Sequence, residues 1–352
     1  MTSRKIISVE FVRRDLPPQP DFRWRAGLPC NEPARIGGTL VITTDSGHSG
    51  RASSPRGVIA EDIVRRRLEP ELLGQDPLAR ERLWHRVWEL DRIEELPIHV
   101  LGLADIALWD LAGKMTELPL HRLLGYARET IPAYASTVTY GSVEEFLDVA
   151  DQCLAHGFQS IKLHAFGNAR KDAQLCTKLR EHVGDDVELM YDGSAAFDLA
   201  DAIYLGRALA GSGYRWYEEP MREFSIEAHR RLSAAVDVPL LVAETSDGAH
   251  WNAADFLAAC GAPYVRTSAA FKGGITGAMR VAHLADAFHA RAEVHGMGPI
   301  SRALCMAIPN TTAYEALVWG NPIITDPCVG SDGMVQASQV PGIDYEAPVA
   351  PW

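Results

Sequence analysis

Between residues 131 and 315, apolar and polar positions fall into a repeating rhythm of a short apolar run followed by a stretch with helical spacing. The short runs are Ala133 to Thr139, Ser160 to His164, Glu188 to Asp192, Arg215 to Glu218, Leu240 to Glu244, Tyr264 to Thr267, Ala292 to His295 and Thr312 to Glu315. Helical patterns lie between them, such as Val143 to His156, Ala200 to Gly211 and Gly274 to Ala290. Eight strands with intervening helices predict a closed parallel α/β barrel rather than an open sheet.

The first 125 residues lack this rhythm. Lys5 to Arg13 alternates as a strand, and Gly38 to Thr44 reads as a second one ending at the turn Asp45-Ser46-Gly47. A proline-opened loop holding Arg23, Trp24 and Arg25 separates them, and Arg51 to Ile59 reads as a loop from its Gly, Pro and Ser content. Helical patterns follow at Glu61 to Leu73, Leu78 to Leu90 and Val100 to Lys114. The expected organisation is an α+β layer over residues 1–125, a barrel over 126–320, and a Pro- and Gly-rich tail over 321–352 that folds back onto the first layer.

Three carboxylates organise the barrel. Asp192, Glu218 and Glu244 each close a short apolar or aromatic run, and they stand 26 residues apart in both intervals. In a parallel barrel the C-terminal ends of the strands meet on one face, so the three acids converge there. Converging carboxylates repel one another and lose solvation unless a cation sits among them. Their hard oxygen ligands favour Mg²⁺. Spacing assigns Glu218, the first acid of Glu218-Glu219-Pro220, to the ion, and leaves Glu219 to pair with a cation or orient a ligand.

Composition narrows the function classes. The 352 residues are 47% hydrophobic and 23% charged, the balance of an ordinary globular protein. A formal charge of −12 with no basic face argues against nucleic acid as a partner. No apolar run reaches the length of a membrane span. Six scattered cysteines without a CxxC pair read as free thiols, and with no signal-peptide pattern at the start they predict a cytoplasmic enzyme.

Several motifs in order carry a family resemblance. They are Ala104-Asp105-Ile106-Ala107-Leu108-Trp109-Asp110, Lys162-Leu163-His164, Asp192, Glu218-Glu219-Pro220, Glu244, Lys272-Gly273-Gly274-Ile275-Thr276-Gly277, His295 and Glu315. The chain resembles the mandelate racemase subgroup of the enolase superfamily over nearly its full length. The resemblance implies an α+β capping domain over a modified (β/α)₇β barrel, Mg²⁺ at the three acids, a carboxylate substrate, and removal of its α-proton to give an enediolate. This superfamily is an established example of Lys or His bases working beside Mg²⁺. Dimers or octamers are implied as well.

Two departures from the family pattern bear on the reaction. Lys162 matches a base whose pKa a neighbouring dication lowers. At position 164, where the family usually has a second lysine, stands His164, which fits a base, a substrate-binding group or packing. The resemblance makes His295 an acid or base on the opposite face of the substrate. The Asp that usually holds this histidine is replaced by Ser268, which cannot stabilise an imidazolium as a carboxylate does. His295 is therefore expected to be weakly basic and to act as a proton donor. Glu315 is expected to end the eighth strand, where it either hydrogen-bonds the substrate carboxylate or forms an ion pair.

Lys272 is expected either to reach an anion or to lie solvated at a helix start. Arg23 and Trp24 in one lid, and Arg51 in the other, are candidates for substrate recognition. The reaction expected is dehydration of a hydroxy acid, an acid sugar. The alternatives are racemisation or epimerisation by 1,1-proton transfer, and a barrel that binds a metal or ligand without turnover.

Overall fold

The computed structural model describes residues 4–19, 21–32 and 35–347; residues 1–3, 20, 33–34 and 348–352, part of the expected cap and tail, lie outside that description. The chain opens with an antiparallel sheet of β1 (Ile6–Asp15), β2 (Ile36–Thr44) and β3 (Ser49–Ser54) in that order. Helices α1 (Gly57–Ile63), α2 (Glu69–Leu72), α3 (Arg80–Glu94), α4 (Ile98–Thr116) and α5 (Leu120–Leu123) follow.

β3 corrects the expectation of a loop at 51–59. Its inward positions are Gly50, Ala52 and Ser54, all buried and all small, so no hydrophobic alternation marks it. Packing demands the small residues: a Cβ on Gly50 would lie 2.1 Å from the Ala107 carbonyl oxygen of α4. Most of α4 is buried, because one side meets this sheet and the other meets the barrel. There Asp105 accepts hydrogen bonds from Thr276 N at 2.8 Å and Thr276 Oγ1 at 2.6 Å. Burial raises its pKa to about 6.

The barrel strands are β4 (Thr130–Thr137), β5 (Ser160–His164), β6 (Glu188–Asp192), β7 (Tyr217–Glu218), β8 (Leu240–Val242), β9 (Tyr264–Thr267), β10 (Arg291–Val294) and β11 (Tyr314–Trp319). Helices α6 (Val143–Ala155), α7 (Ala169–Val183), α8 (Leu199–Gly211), α9 (Ile226–Ser233), α10 (Ala249–Cys260), α11 (Ile275–Ala287) and α12 (Pro299–Ala307) alternate with them in a (β/α)₇β order. Pairing runs in parallel from β10 through β4 to β11. Between β10 and β11 the Glu293 carboxylate bridges to Thr312 N at 3.1 Å and Thr312 Oγ1 at 2.7 Å.

Glu315 is the second residue of β11, not its last, so it sits below the barrel mouth, in register with Tyr134. The strand continues to Trp319 because β12 (Ile324–Thr325) pairs back onto it in a hairpin. Beyond it, β13 (Met334–Gln336) pairs with β4. The tail then reaches the cap, where buried Asp110 accepts from Ile343 N and Arg51 N, both at 2.8 Å. Among the described residues, no helix is long and apolar enough to cross a membrane.

Candidate metal centre and active site

Register sets the inward layers of the barrel. Tyr134, Met190, Trp216, Leu241 and Tyr264 pack as an apolar floor. Side chains two residues further along a strand share the same face, so Asp192, Glu218 and Arg266 project into the space above that floor, and Lys162, in register with Met190, reaches up to them with its long side chain. His164 pairs with Asp192, and Asp192 with Glu218, across adjacent strands.

Asp192, Glu218 and Glu244 each offer a carboxylate oxygen, and these atoms lie within 4.8 Å of one another, all buried. Among the described residues, no other such group of three metal-ligating side chains converges. Two observations show that the set fits a divalent cation. Oε2 of Glu244 is buried with no hydrogen-bond partner. Burial, then the neighbouring Glu219, Glu218 and Asp192, push the Glu244 pKa well above its ordinary value, with Arg266 opposing. A dication would relieve both, and three carboxylate oxygens are the hard donors that Mg²⁺ prefers.

A buried cationic layer braces the triad. Lys162 Nζ lies 2.7 Å from Glu315 Oε1, 3.0 Å from Glu218 Oε2 and 3.2 Å from Asp192 Oδ2. Burial opposes its charge, but Glu218 and Glu315 hold its pKa well above the ordinary lysine value; a dication bound by the three acids would act in the other direction. Arg266 forks onto both oxygens of Glu218 and donates to Tyr134 Oη at 2.9 Å. Burial opposes ionisation of Glu218 and Glu315, yet Arg266 and Lys162 keep both pKa values low. Glu315 also accepts from Gly296 N at 2.7 Å. The Glu315 carboxylate is thus ion-paired with Lys162.

The two histidines approach the triad from different sides, His164 at the end of β5 and His295 just beyond β10. His164 Nδ1 lies 2.6 Å from Thr137 O, and its Nε2 3.0 Å from Asp192 Oδ2. A carbonyl only accepts, so Nδ1 carries a hydrogen. Trp24 lies over this imidazole with ring centroids 4.6 Å apart. Across the site, His295 Nε2 is 3.2 Å from Glu244 Oε1, and Phe271 lies against its ring at 5.3 Å. Burial lowers the His295 pKa to about 4, with Glu315 opposing the shift. Ser268 does not hold this histidine by its hydroxyl: Oγ accepts from Phe271 N at 3.0 Å, closing its own turn.

Several expected recognition residues are not in the cluster. Arg23 is exposed and donates to Cys30 Sγ at 3.0 Å. Arg51 is not in a lid; its guanidinium pairs with Glu346 at 2.8 Å and stacks on Tyr345. Lys272 is fully buried rather than solvated, and donates to Ser246 O at 3.1 Å. Of the lid residues, Trp24 reaches the site, and neighbouring Arg25 ties the loop to Ser194 O at 2.9 Å.

Arg266 and Glu223 are parts of this arrangement that the sequence reading left without a role. Arg266 had a usable signal, a lone cation on the same strand face as Ser268. Glu223, in a loop, had none.

Comparison with known proteins agrees with this geometry. The family described as mandelate racemase / muconate lactonizing enzyme, N-terminal domain, matches residues 39–125, and the enolase C-terminal domain-like family matches residues 145–347. The chain is 28% identical to the L-talarate/galactarate dehydratase of Salmonella typhimurium, over 78% of this chain and 70% of that one. It is 28% identical to the 3,6-anhydro-alpha-L-galactonate cycloisomerase of Streptomyces coelicolor, over 82% and 83% of the two chains. The solved D-glucarate dehydratase of Agrobacterium tumefaciens, complexed with magnesium, superposes with a TM-score of 0.86 at 28% identity, covering 97% of each chain. By its paired domains and its three barrel acids, the chain belongs to the mandelate racemase/muconate lactonizing enzyme family of the enolase superfamily.

Proposed function

We propose that the protein is a Mg²⁺-dependent lyase that removes the proton alpha to a carboxylate and expels a β-hydroxyl as water, with acid sugars as its substrate class. Asp192, Glu218 and Glu244 would hold the ion. Bound there, Mg²⁺ supplies electrostatic stabilisation of the second negative charge that develops on the substrate carboxylate. One observation carries the reading: proton-transfer groups approach the triad from two sides, Lys162 and His164 on β5 and His295 beyond β10. Were the three acids engaged by the ion, Lys162 or His164 would be free to lose its own proton and to take the α-proton, whose bonding electrons pass into the carboxylate as an enediolate. The electrons then return, the β-carbon–oxygen bond breaks, and a proton drawn from solvent reaches the departing oxygen by way of His295, so that water leaves. The resulting enol tautomerises to a 2-keto acid. Trp24 lies over His164 and restricts access of bulk water to that side.

The relatives support this reading, since dehydratases of galactarate and arabinonate are among them. Incubation with Mg²⁺ and a panel of aldonates and aldarates should yield 2-keto product from at least one of them, and silence across the whole panel would refute dehydration. The second reading, 1,1-proton transfer, draws on the same two-sided placement and on the cycloisomerase relative. It predicts exchange of the α-proton with D₂O and no keto acid. A homo-oligomer, dimer or octamer, belongs to the same proposal. Ile7 and Val12 of β1 are 59% and 58% exposed and offer apolar surface for it, which sedimentation would test.

A further inference from the structure

β8 breaks its own alternation to deliver Glu244. Leu241 pairs with Glu218 and faces inward with the apolar floor. By period-2 alternation residue 243 would also face inward, and residue 244 would face the surrounding helices. Ala243 instead adopts φ +66°, a region that residues with a Cβ rarely occupy. Glu244 thereby turns into the cluster with Asp192 and Glu218. A backbone conformation of this kind persists only where its surroundings hold it.

Glu223 holds it. The residue lies between β7 and α9 and is buried. Its Oε1 accepts from Ala243 N, and its Oε2 accepts from Thr245 N at 2.8 Å and Ser246 N at 2.9 Å. Thr245 Oγ1 adds a longer contact to Oε2 at 3.4 Å and donates to Glu219 Oε1 at 2.9 Å. One carboxylate therefore gathers the amides on both sides of residue 244, while the carboxylate of Glu244 itself faces the triad. Lys272 grips the same segment from the other side through Ser246 O.

We infer that Glu223 is a positioning residue: it fixes the left-handed turn at Ala243 and so presents Glu244 to the cation. This rests on the reading of Asp192, Glu218 and Glu244 as ligands, and Glu223 itself touches neither ion nor substrate.

The test uses the full chain and Mn²⁺, a paramagnetic substitute for Mg²⁺, with affinity read by electron paramagnetic resonance. Glu223→Gln should weaken Mn²⁺ binding roughly tenfold to a hundredfold, the range typical of residues that orient metal ligands. Glu223→Asp keeps the charge but retracts the carboxylate, and should weaken binding more than about threefold by the same argument. Glu293→Gln removes another buried acid that accepts a backbone amide, and should leave the affinity unchanged. A folded Glu223 variant that binds Mn²⁺ as the wild type does overturns the proposal. So does an equal loss in the Glu293 variant, or failure of both Glu223 variants to fold in saturating Mn²⁺. Wild-type protein that binds no Mn²⁺ would instead refute the metal reading itself.

Discussion

The ammonium of Lys162 stands 2.7 Å from the carboxylate of Glu315, and both groups are buried. Glu218 and Asp192 lie within 3.2 Å of the same nitrogen. Breaking such a pair leaves carboxylates uncompensated, which costs about 3–5 kcal/mol. Lys162→Met should therefore lose about that much stability in EDTA, and Mg²⁺ should restore more of it than it adds to the wild type. Unfolding curves with and without the ion check this; equal losses in both conditions would contradict it.

Glu244 carries the one oxygen of the triad that lacks a hydrogen bond, with Arg266 Nε 3.9 Å away. Glu244→Gln should raise the melting temperature in EDTA, because a buried acid crowded by three others becomes a neutral amide. It should also weaken Mn²⁺ binding roughly a hundredfold, the equivalent of one charge-assisted contact of about 3 kcal/mol. Calorimetric titration and thermal melts read the two effects separately.

The two histidines should separate by step. His295→Asn removes the proton donor for the departing hydroxyl, and product formation should fall roughly 10²–10⁴-fold. Exchange of the substrate α-proton with D₂O, followed by NMR, should survive far better. Equal loss of both would move His295 to the proton-abstraction step.

Lys272 gives a pH signature with a definite sign. Burial lowers its pKa to about 8, with Glu223 and Glu244 opposing, against roughly 10.4 in an unfolded chain. Between those values the unfolded state binds more protons than the folded state, so this residue makes stability rise with pH. Lys272→Met lacks that contribution. The stability of the wild type relative to this variant should therefore improve by up to about 3 kcal/mol from neutral pH to about pH 10.5. Denaturant unfolding across that range measures it, and a flat difference would count against a buried, charged Lys272.

Trp24 and Arg51, both expected in lids, should behave differently. Arg51→Ala should leave kcat/KM nearly unchanged and cost under about 1 kcal/mol of stability, as an exposed ion pair does. Trp24→Ala uncovers His164 and should lower kcat/KM roughly a hundredfold, the scale of a misplaced reacting group. Steady-state kinetics on the substrate found in the panel decides both.

The barrel was legible because its strand ends carry charge where the interior is otherwise apolar. Ser160–His164, Glu188–Asp192 and Tyr264–Thr267 have the bounds their patterns predict. Asp192 and Glu218 follow from strand spacing. Glu244 shares that spacing but faces the ion only through the turn at Ala243, which no sequence pattern announces. β3 stayed hidden because close packing on α4 leaves room only for small side chains. The surroundings of Arg51 and Lys272 were not legible: their type suggests anion binding, and only tertiary contacts reveal that Glu346 and Ser246 engage them. Glu315 was placed correctly on its strand but too near the mouth, because the hairpin that lengthens β11 lies beyond it.

Asp110 bonds to residue 51 and to residue 343 with its two oxygens, so a segment near the start of the chain and one near its end share a single anchor. A graft that moved the first 125 residues onto a different barrel would leave the donor's last stretch behind and its anchor half unmade. The two modules are therefore not freely interchangeable.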